Sequence, residues 1–269
     1  MLGNRMLGNL KRIVKEQALA RGAWIEAASD PKLVRMFIRS TTALSCNTKL
    51  IRVGPAGDGG YIVPDDFDGI TACISPGVST ECGFDLEMAK RGIDVYMADA
   101  SVEGPPVANP RFHFTPKFFD THNDCETTTI DDFCDGIGPS GSSGDLILQM
   151  DIEGAEYRVI PNISTALLKR FRIMAVEFHD MQQLFSKFSF GTVRAAFTRL
   201  RMFHEIVHIH PNNRCGMVSL GDIEIPRVME FTFYRKDRAL FGTGPASPHD
   251  EDHDNFPDLP PLPLPNIWR

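Results

Sequence analysis

No two cysteines in this chain are spaced C-x-x-C. The six lie at 46, 73, 82, 125, 134 and 215, a scatter that signals neither a zinc site nor a disulfide framework. They fit a reducing compartment, with Cys73 expected to act as a small apolar residue inside a strand. No apolar run reaches the roughly 18 residues that a membrane-spanning helix needs. The N-terminus also lacks the continuous apolar stretch of a secretory signal, so the expected location is cytoplasmic. Lys and Arg form no stripe and the net charge is −7. Nucleic acid is therefore not expected as a partner, because phosphate binding depends on clustered positive charge. No internal repeat is present.

What remains is the composition of a soluble globule, with 42% hydrophobic and 23% charged residues. At 269 residues the chain can bury one α/β-sized core plus decorations. Residues 1–48 read as an N-terminal helical extension. Leu7 to about Ala28 is amphipathic, and Asp30-Pro31 opens a second helix. These two helices are a candidate cap or homo-oligomer surface. Residues 49–240 read as the α/β domain. Residues 241–269 turn acidic and then Pro-rich, a composition that favours polyproline II wrapping the domain or a neighbouring subunit.

The centre of the pattern is Thr71 to Val102. A short apolar strand, Thr71 to Ile74, runs into Ser75-Pro-Gly-Val-Ser79. Glu81 to Arg91 follows as a helix, with Ser79 or Thr80 as its cap and Gly92 at its left-handed end. Ile93 to Ala98 is the next strand and ends on Asp99. This is half of a nucleotide-binding βαβ unit. Gly77 lets the backbone approach a ligand closely, and a carboxylate 22 positions later is suitably placed to hold ribose hydroxyls. The turn lacks the full G-x-G-x-x-G, having Ser75, Gly77 and Ser79 at alternate positions. A plain α/β crossover with a solvated Asp99 fits the same residues.

Upstream, Leu50 to Val53 and Tyr61 to Val63 are strands around a Gly-dense loop. That loop is either a simple hairpin or a flap with Asp58 and Tyr61 facing a ligand. Downstream, Arg111 to Thr115 is a strand, Thr129 to Cys134 starts a helix, and Gly136 to Gly144 is a Gly/Ser loop. Asp145 to Met150 is the most apolar strand, and it ends in the acids of Asp151-Ile-Glu-Gly-Ala-Glu156. This is the pattern of a central parallel strand with a functional tip. Ile173 to His179, Glu205 to His210 and an antiparallel Val228 to Arg235 complete the sheet.

Asp58-Gly-Gly-Tyr61, Ser75-Pro-Gly-Val-Ser79, Asp99, Met150-Asp-Ile-Glu-Gly-Ala-Glu156, Val176-Glu-Phe-His179 and His208-Ile-His-Pro-Asn-Asn213 together resemble the FkbM-type branch of S-adenosylmethionine-dependent methyltransferases, over about residues 50 to 235. The resemblance implies a Rossmann-like seven-stranded methyltransferase sheet with helices on both faces and one antiparallel strand. It implies S-adenosylmethionine held by Asp58, Gly60, Tyr61, Ser75, Gly77, Asp99 and Ser101. It also implies transfer of the methyl group to a hydroxyl on a sugar or natural-product small molecule.

A neutral hydroxyl is a poor nucleophile and needs a base or a metal ion. In such a sheet Asp151, Glu177 and His179 sit at neighbouring strand tips. They can bind Mg or Mn; equally, Glu177 can orient His179 as a general base without metal. Glu153 and Glu156 are as readily helix caps. His208, His210 and Asn212 are expected at the acceptor. Two other readings stay open: a nicotinamide-dependent oxidoreductase, and a non-catalytic methyltransferase-like binding module.

Overall fold

The computed structural model describes residues 2–138 and 143–269. Helix α1 runs over Leu2–Leu19, shorter than expected. Gly22 at φ 75° and the Ala23 N–H bonded to Ala18 O close the helix in the manner of a glycine C-cap. The chain then opens, and Ala28 bridges to Ser186. Helix α2, Pro31–Ser40, starts where the Asp30 carboxylate accepts from the Lys32 N–H, and it buries Val34, Phe37 and Ile38.

Next come β1 (Leu44–Cys46), the hairpin β2 (Leu50–Val53) and β3 (Tyr61–Pro64), then β4 (Ile70–Pro76), α3 (Gly83–Lys90) and β5 (Asp94–Ala98). The cap of α3 is Cys82, not Ser79 or Thr80, and it makes no side-chain capping bond. After β6 (Phe112–Thr115), the short pair β7 (Phe118–Phe119) and β8 (Thr127–Thr128) precedes α4 (Ile130–Gly136), which is capped by Thr129. Within the Gly/Ser loop expected over 136–144, residues 139–142 lie outside the described residues. Strand β9 (Asp145–Met150) leads to the short helices α5 (Glu156–Val159) and α6 (Thr165–Leu168), separated at Pro161. Then follow β10 (Phe171–Phe178), α7 (Phe190–Arg201), β11 (His204–Pro211), the hairpin β12 (Met217–Leu220) and β13 (Ile223–Pro226), β14 (Met229–Arg235) and β15 (Phe241–Pro245).

Seven strands form one sheet in the order β11-β14-β10-β9-β4-β5-β6. Strand β14 is antiparallel to both its neighbours, and the other pairings are parallel. Alternate residues of β9 serve opposite faces. Leu146, Leu148 and Met150 join one core cluster and Ile147 the other, so both faces are covered. Among the described residues no helix is long and apolar enough to cross a membrane.

Parallel pairing gathers the carboxyl ends of β4, β5, β9 and β10 on one edge, and the start of the antiparallel β14 joins them. The tail lies on its own chain: β15 pairs with β1, and Trp268 is buried against Phe231 with its Nε1–H on Glu224 O. It also reaches the functional edge of the sheet.

One buried group taxes this fold. Asp85, in the first turn of α3, is 3% exposed, and its Oδ1 has no hydrogen-bond partner. Burial pushes its carboxyl up to about 7, with the Ser75 hydroxyl beside it opposing the shift. An unfolded aspartate ionises near 3.9, so folding must disfavour the ionised form as pH rises through that window. Asp85→Asn should therefore stabilise the protein by up to about 4 kcal/mol at pH 8, with the gain fading to nothing near pH 4. Thermal melts at the two pH values check this; an equal effect at both would refute it.

Candidate active site

The site begins with a turn that only glycine can make. After Ser75 and Pro76 the chain bends at Gly77, φ 88°. A Cβ placed there would lie 1.5 Å from the backbone oxygen of Asp151. The same crossing is sewn by two hydrogen bonds, Gly77 N–H to Ala98 O at 3.0 Å and Asp151 N–H to Pro76 O at 3.2 Å. The tips of β5, β4 and β9 thus meet at one point.

Asp99 is folded back onto this turn and is 4% exposed. Its Oδ2 accepts from the Ser79 N–H at 3.0 Å, and its Oδ1 accepts from the Ser101 N–H at 2.7 Å and hydroxyl at 2.6 Å. Ser79 adopts φ 44°, a left-handed conformation that is strained for serine. A cleft of about 230 Å³ opens here. Its lining includes Gly77, Ser79, Asp99 and Ser101 from the turn and the tip of β5, Asp151, Ile152 and Glu153 after β9, and Phe118 and Arg158.

The acids beyond β9 converge on one imidazole. His179 lies one residue past the end of β10, before Asp180 in a left-handed conformation. Its Nδ1 is 3.2 Å from Glu156 Oε1, which also accepts from the Ile152 and Gly154 N–H groups. With Nδ1 held there, Nε2 faces Glu153 Oε2 at 3.3 Å, Asp151 Oδ1 at 3.7 Å and Glu177 Oε1 at 3.9 Å. Donor atoms of Asp151, Glu153 and His179 all lie within 4.8 Å of one another, a spacing that can hold a cation. Glu153 reaches this position through a positive φ of 54°. Burial, reinforced by Glu153, Glu156 and Asp58, pushes the Asp151 carboxyl up to about 7 while His179 opposes it. Burial works against the His179 imidazolium, but the hydrogen bond and charge of Glu156 outweigh it and raise its pKa.

Glu177 is nearly inaccessible. Burial, then Asp151, Glu230 and Asp58, hold its carboxyl well above the usual range, and Asn212 Nδ2 donates to its Oε1 at 3.1 Å. Register places Glu177 opposite Glu230 on β14, and Glu230 opposite His210 on β11. Paired residues share a face, so these three side chains form a row from the acid cluster to the sheet edge. Asp252 from the tail stands against His208 and His210, at 2.9 Å and 3.7 Å.

The other expected donor residues sit behind the cleft. Tyr61 is 2% exposed and its hydroxyl accepts from Gln149 Nε2; Ser75 is fully buried and donates to Gln149 Oε1. Gly60 is forced by a tight turn, since a Cβ would lie 2.0 Å from Pro55 O. Asp58 accepts from Asn255. Gly77, Asp99, Ser101 and Asp151 are thus brought together on the cleft wall, while Asp58, Gly60, Tyr61 and Ser75 are not among its lining residues.

Phe118, Arg158, Glu230 and the tail's Asp252 and Asn255 escaped the sequence argument, and Glu153 was read there only as one of the acids after β9, as readily a helix cap. Neither Glu153 nor Glu156 caps a helix from outside: Glu153 joins the cluster and Glu156 orients His179.

Residues 88–205 match the family model for the methyltransferase FkbM domain. The matched stretch contains Asp99, Asp151, Glu177 and His179, and it starts after Gly77. No curated protein matches the chain. Among solved structures, one described as "Crystal Structure of EvdMO1" is similar over 84% of this chain and 47% of that chain, with 10% identity and a TM-score of 0.29. The chain thus spans about half the length of that protein, and so low a score carries no argument.

Proposed function

We propose, taking the methyltransferase match over residues 88–205 as premise, that this protein is an S-adenosylmethionine-dependent O-methyltransferase. Its acceptor would be a hydroxyl on a sugar or natural-product small molecule, and its sheet a Rossmann-like methyltransferase sheet. The observation that carries the reading is the cleft in which Asp99, bonded to the glycine turn through Ser79, shares one wall with Asp151. In this reading Asp99 holds the ribose and Gly77 keeps the turn tight against β9. Bound there, the sulfonium supplies an activated methyl group. The chain's part is then to position it in line with an acceptor oxygen and to remove a proton.

Phe118 fits the nucleobase end. Its ring is 46% exposed at the cleft wall, while Phe119 beside it is packed edge-on against Phe133. Base stacking on an aromatic ring contributes about 1–3 kcal/mol. Phe118→Ala should therefore weaken S-adenosylmethionine binding about tenfold or more, and Phe118→Tyr should restore it. Calorimetry reads both, and an unchanged affinity in Phe118→Ala would remove the ring from the site.

For the acceptor, the Nε2 of His179 is the proton-accepting atom and Glu156 fixes the ring. A divalent ion such as Mg or Mn suits the oxygens of Asp151 and Glu153 with His179, and Glu177 stands next to them. Its chemistry would be to lower the pKa of the acceptor hydroxyl. An imidazole whose other nitrogen is held by a carboxylate is the usual arrangement of a ligating histidine, so the site suits an ion as well as a bare base. The test is to titrate S-adenosylmethionine and NAD with and without Mn²⁺. Binding of the first and not the second is expected, with Mn²⁺ affinity lost in Asp151→Asn. NAD binding alone would overturn the reading, and full turnover in EDTA would eliminate the metal.

A further inference from the structure

The row that runs from the acid cluster to the sheet edge is covered by one piece of chain, held by side-chain bonds and by a backbone bond from the Asp58 N–H to Asn255 O. Asn255, 3% exposed, places its Nδ2 2.6 Å from Glu230 Oε1 and 3.2 Å from Asp58 Oδ1. Asp252 stands between His208 and His210. Asn213 exchanges bonds with the backbone of Phe256. Regular strand pairing stops at Pro245, so a ladder does not hold this stretch.

The cover fits incompletely. His210 Nε2, under the segment, and Asn255 Oδ1, within it, are buried atoms without a hydrogen bond. Beside them Asp252 Oδ1 and His208 Nε2, 2.9 Å apart, form an ion pair. Unpaired buried polar atoms are costly, and a permanent wall would be expected to satisfy them. Here they stand in a mixed array of carboxyl, amide and imidazole groups, which is the lining that binds hydroxyls. A pocket of about 240 Å³ lies beside His210 and Asp252, lined also by Pro261 and Leu264.

We propose that Ser247–Phe256 is a displaceable lid on the acceptor-binding face, and that Glu230 and His210 are acceptor-binding residues which Asn255 and Asp252 occupy while the lid is closed. This rests on the methyl-transfer reading for the identity of the face. The acceptor it fits is a neutral, hydroxyl-rich compound: Glu177 and Glu230 are buried, and taking an anion into that row costs desolvation that two carboxyl groups cannot offset.

Hydrogen exchange on the full chain saturated with S-adenosylhomocysteine tests the lid. Amides of 247–256 should exchange about a hundredfold faster than those of β10 and β14, with no dependence on low denaturant. Asp252→Ala should speed them about tenfold further, with at most the same factor in the strands, and leave S-adenosylhomocysteine affinity unchanged. Exchange of the segment together with β14, at one rate and one denaturant dependence, would show a welded wall and overturn the lid. If Asp252→Ala does not fold, the wild-type comparison alone decides. Methyl glucoside should shift the His210 ring resonances and glucuronate should not; shifts from glucuronate alone, or from neither sugar, overturn the acceptor assignment. Failure to bind S-adenosylhomocysteine is read separately and counts against methyl transfer, not against the lid.

Discussion

Gly77→Ala should destabilise the protein by at least about 3 kcal/mol and abolish donor binding. The two effects share one cause. At φ 88° an alanine is strained before it meets any neighbour. Its Cβ would then lie 1.5 Å from Asp151 O, a backbone atom held in place by the neighbouring Asp151 N–H bond to Pro76. Neither partner has a flexible end to swing away, so β4 and β9 must separate at their tips. That is where the cleft between Asp99 and Asp151 is formed. Denaturant melts and calorimetry with S-adenosylmethionine measure the two losses. A variant with wild-type stability would show that the tips are looser than the structure has them. A variant that folds and still binds the donor would remove the turn from the donor site.

The sheet was legible in the sequence because its signals are local. The apolar run Asp145 to Met150 can be little else than a buried strand, and it is β9 to the residue. The antiparallel last strand and the left-handed Gly92 follow from similarly short patterns. The meeting of Gly77 with Asp99 was legible for a geometric reason: neighbouring parallel strands end at the same edge. The contributions of distant chain were not legible. Glu230 reads as an ordinary strand residue until register sets it opposite Glu177 and His210. Asn255 sits in an acidic, Pro-rich tail whose composition suggests wrapping but names no partner, and it is buried against Asp58 and Glu230. The caps of α3 were misplaced because Ser79 is used in the turn, where its N–H binds Asp99, and so cannot start the helix. His179 lies beyond the end of its strand: alternation and neighbouring strand tips put Asp151 and Glu177 near it, but not Glu153 and Glu156. The Glu156 carboxylate fixes its ring.

Asp99→Ala should raise the dissociation constant of S-adenosylmethionine about a hundredfold, and the reasoning constrains how. A carboxylate offers about four acceptor positions. Three are already taken, by the Ser79 N–H and by the N–H and hydroxyl of Ser101. Two backbone bonds fix the carboxylate against the turn, and only the Ser101 hydroxyl can rotate away. A ribose gripped through both hydroxyls therefore has to use the open position and displace that hydroxyl. One charge-assisted hydrogen bond contributes about 1.5–3 kcal/mol. Losing one such bond outright, with a second exchanged for the serine's, accounts for the hundredfold. Ser101→Ala should accordingly leave donor affinity within about twofold, since it removes a competitor for Asp99 and not a grip on the ligand. The loss in Asp99→Ala should also be the same for S-adenosylmethionine, S-adenosylhomocysteine and adenosine, because these share the ribose and differ elsewhere. If adenosine binds Asp99→Ala as well as wild type, the carboxylate serves only to shape the turn and the ribose lies elsewhere. If Ser101→Ala loses as much as Asp99→Ala, the serine contacts the ligand directly and the order of the two residues is reversed.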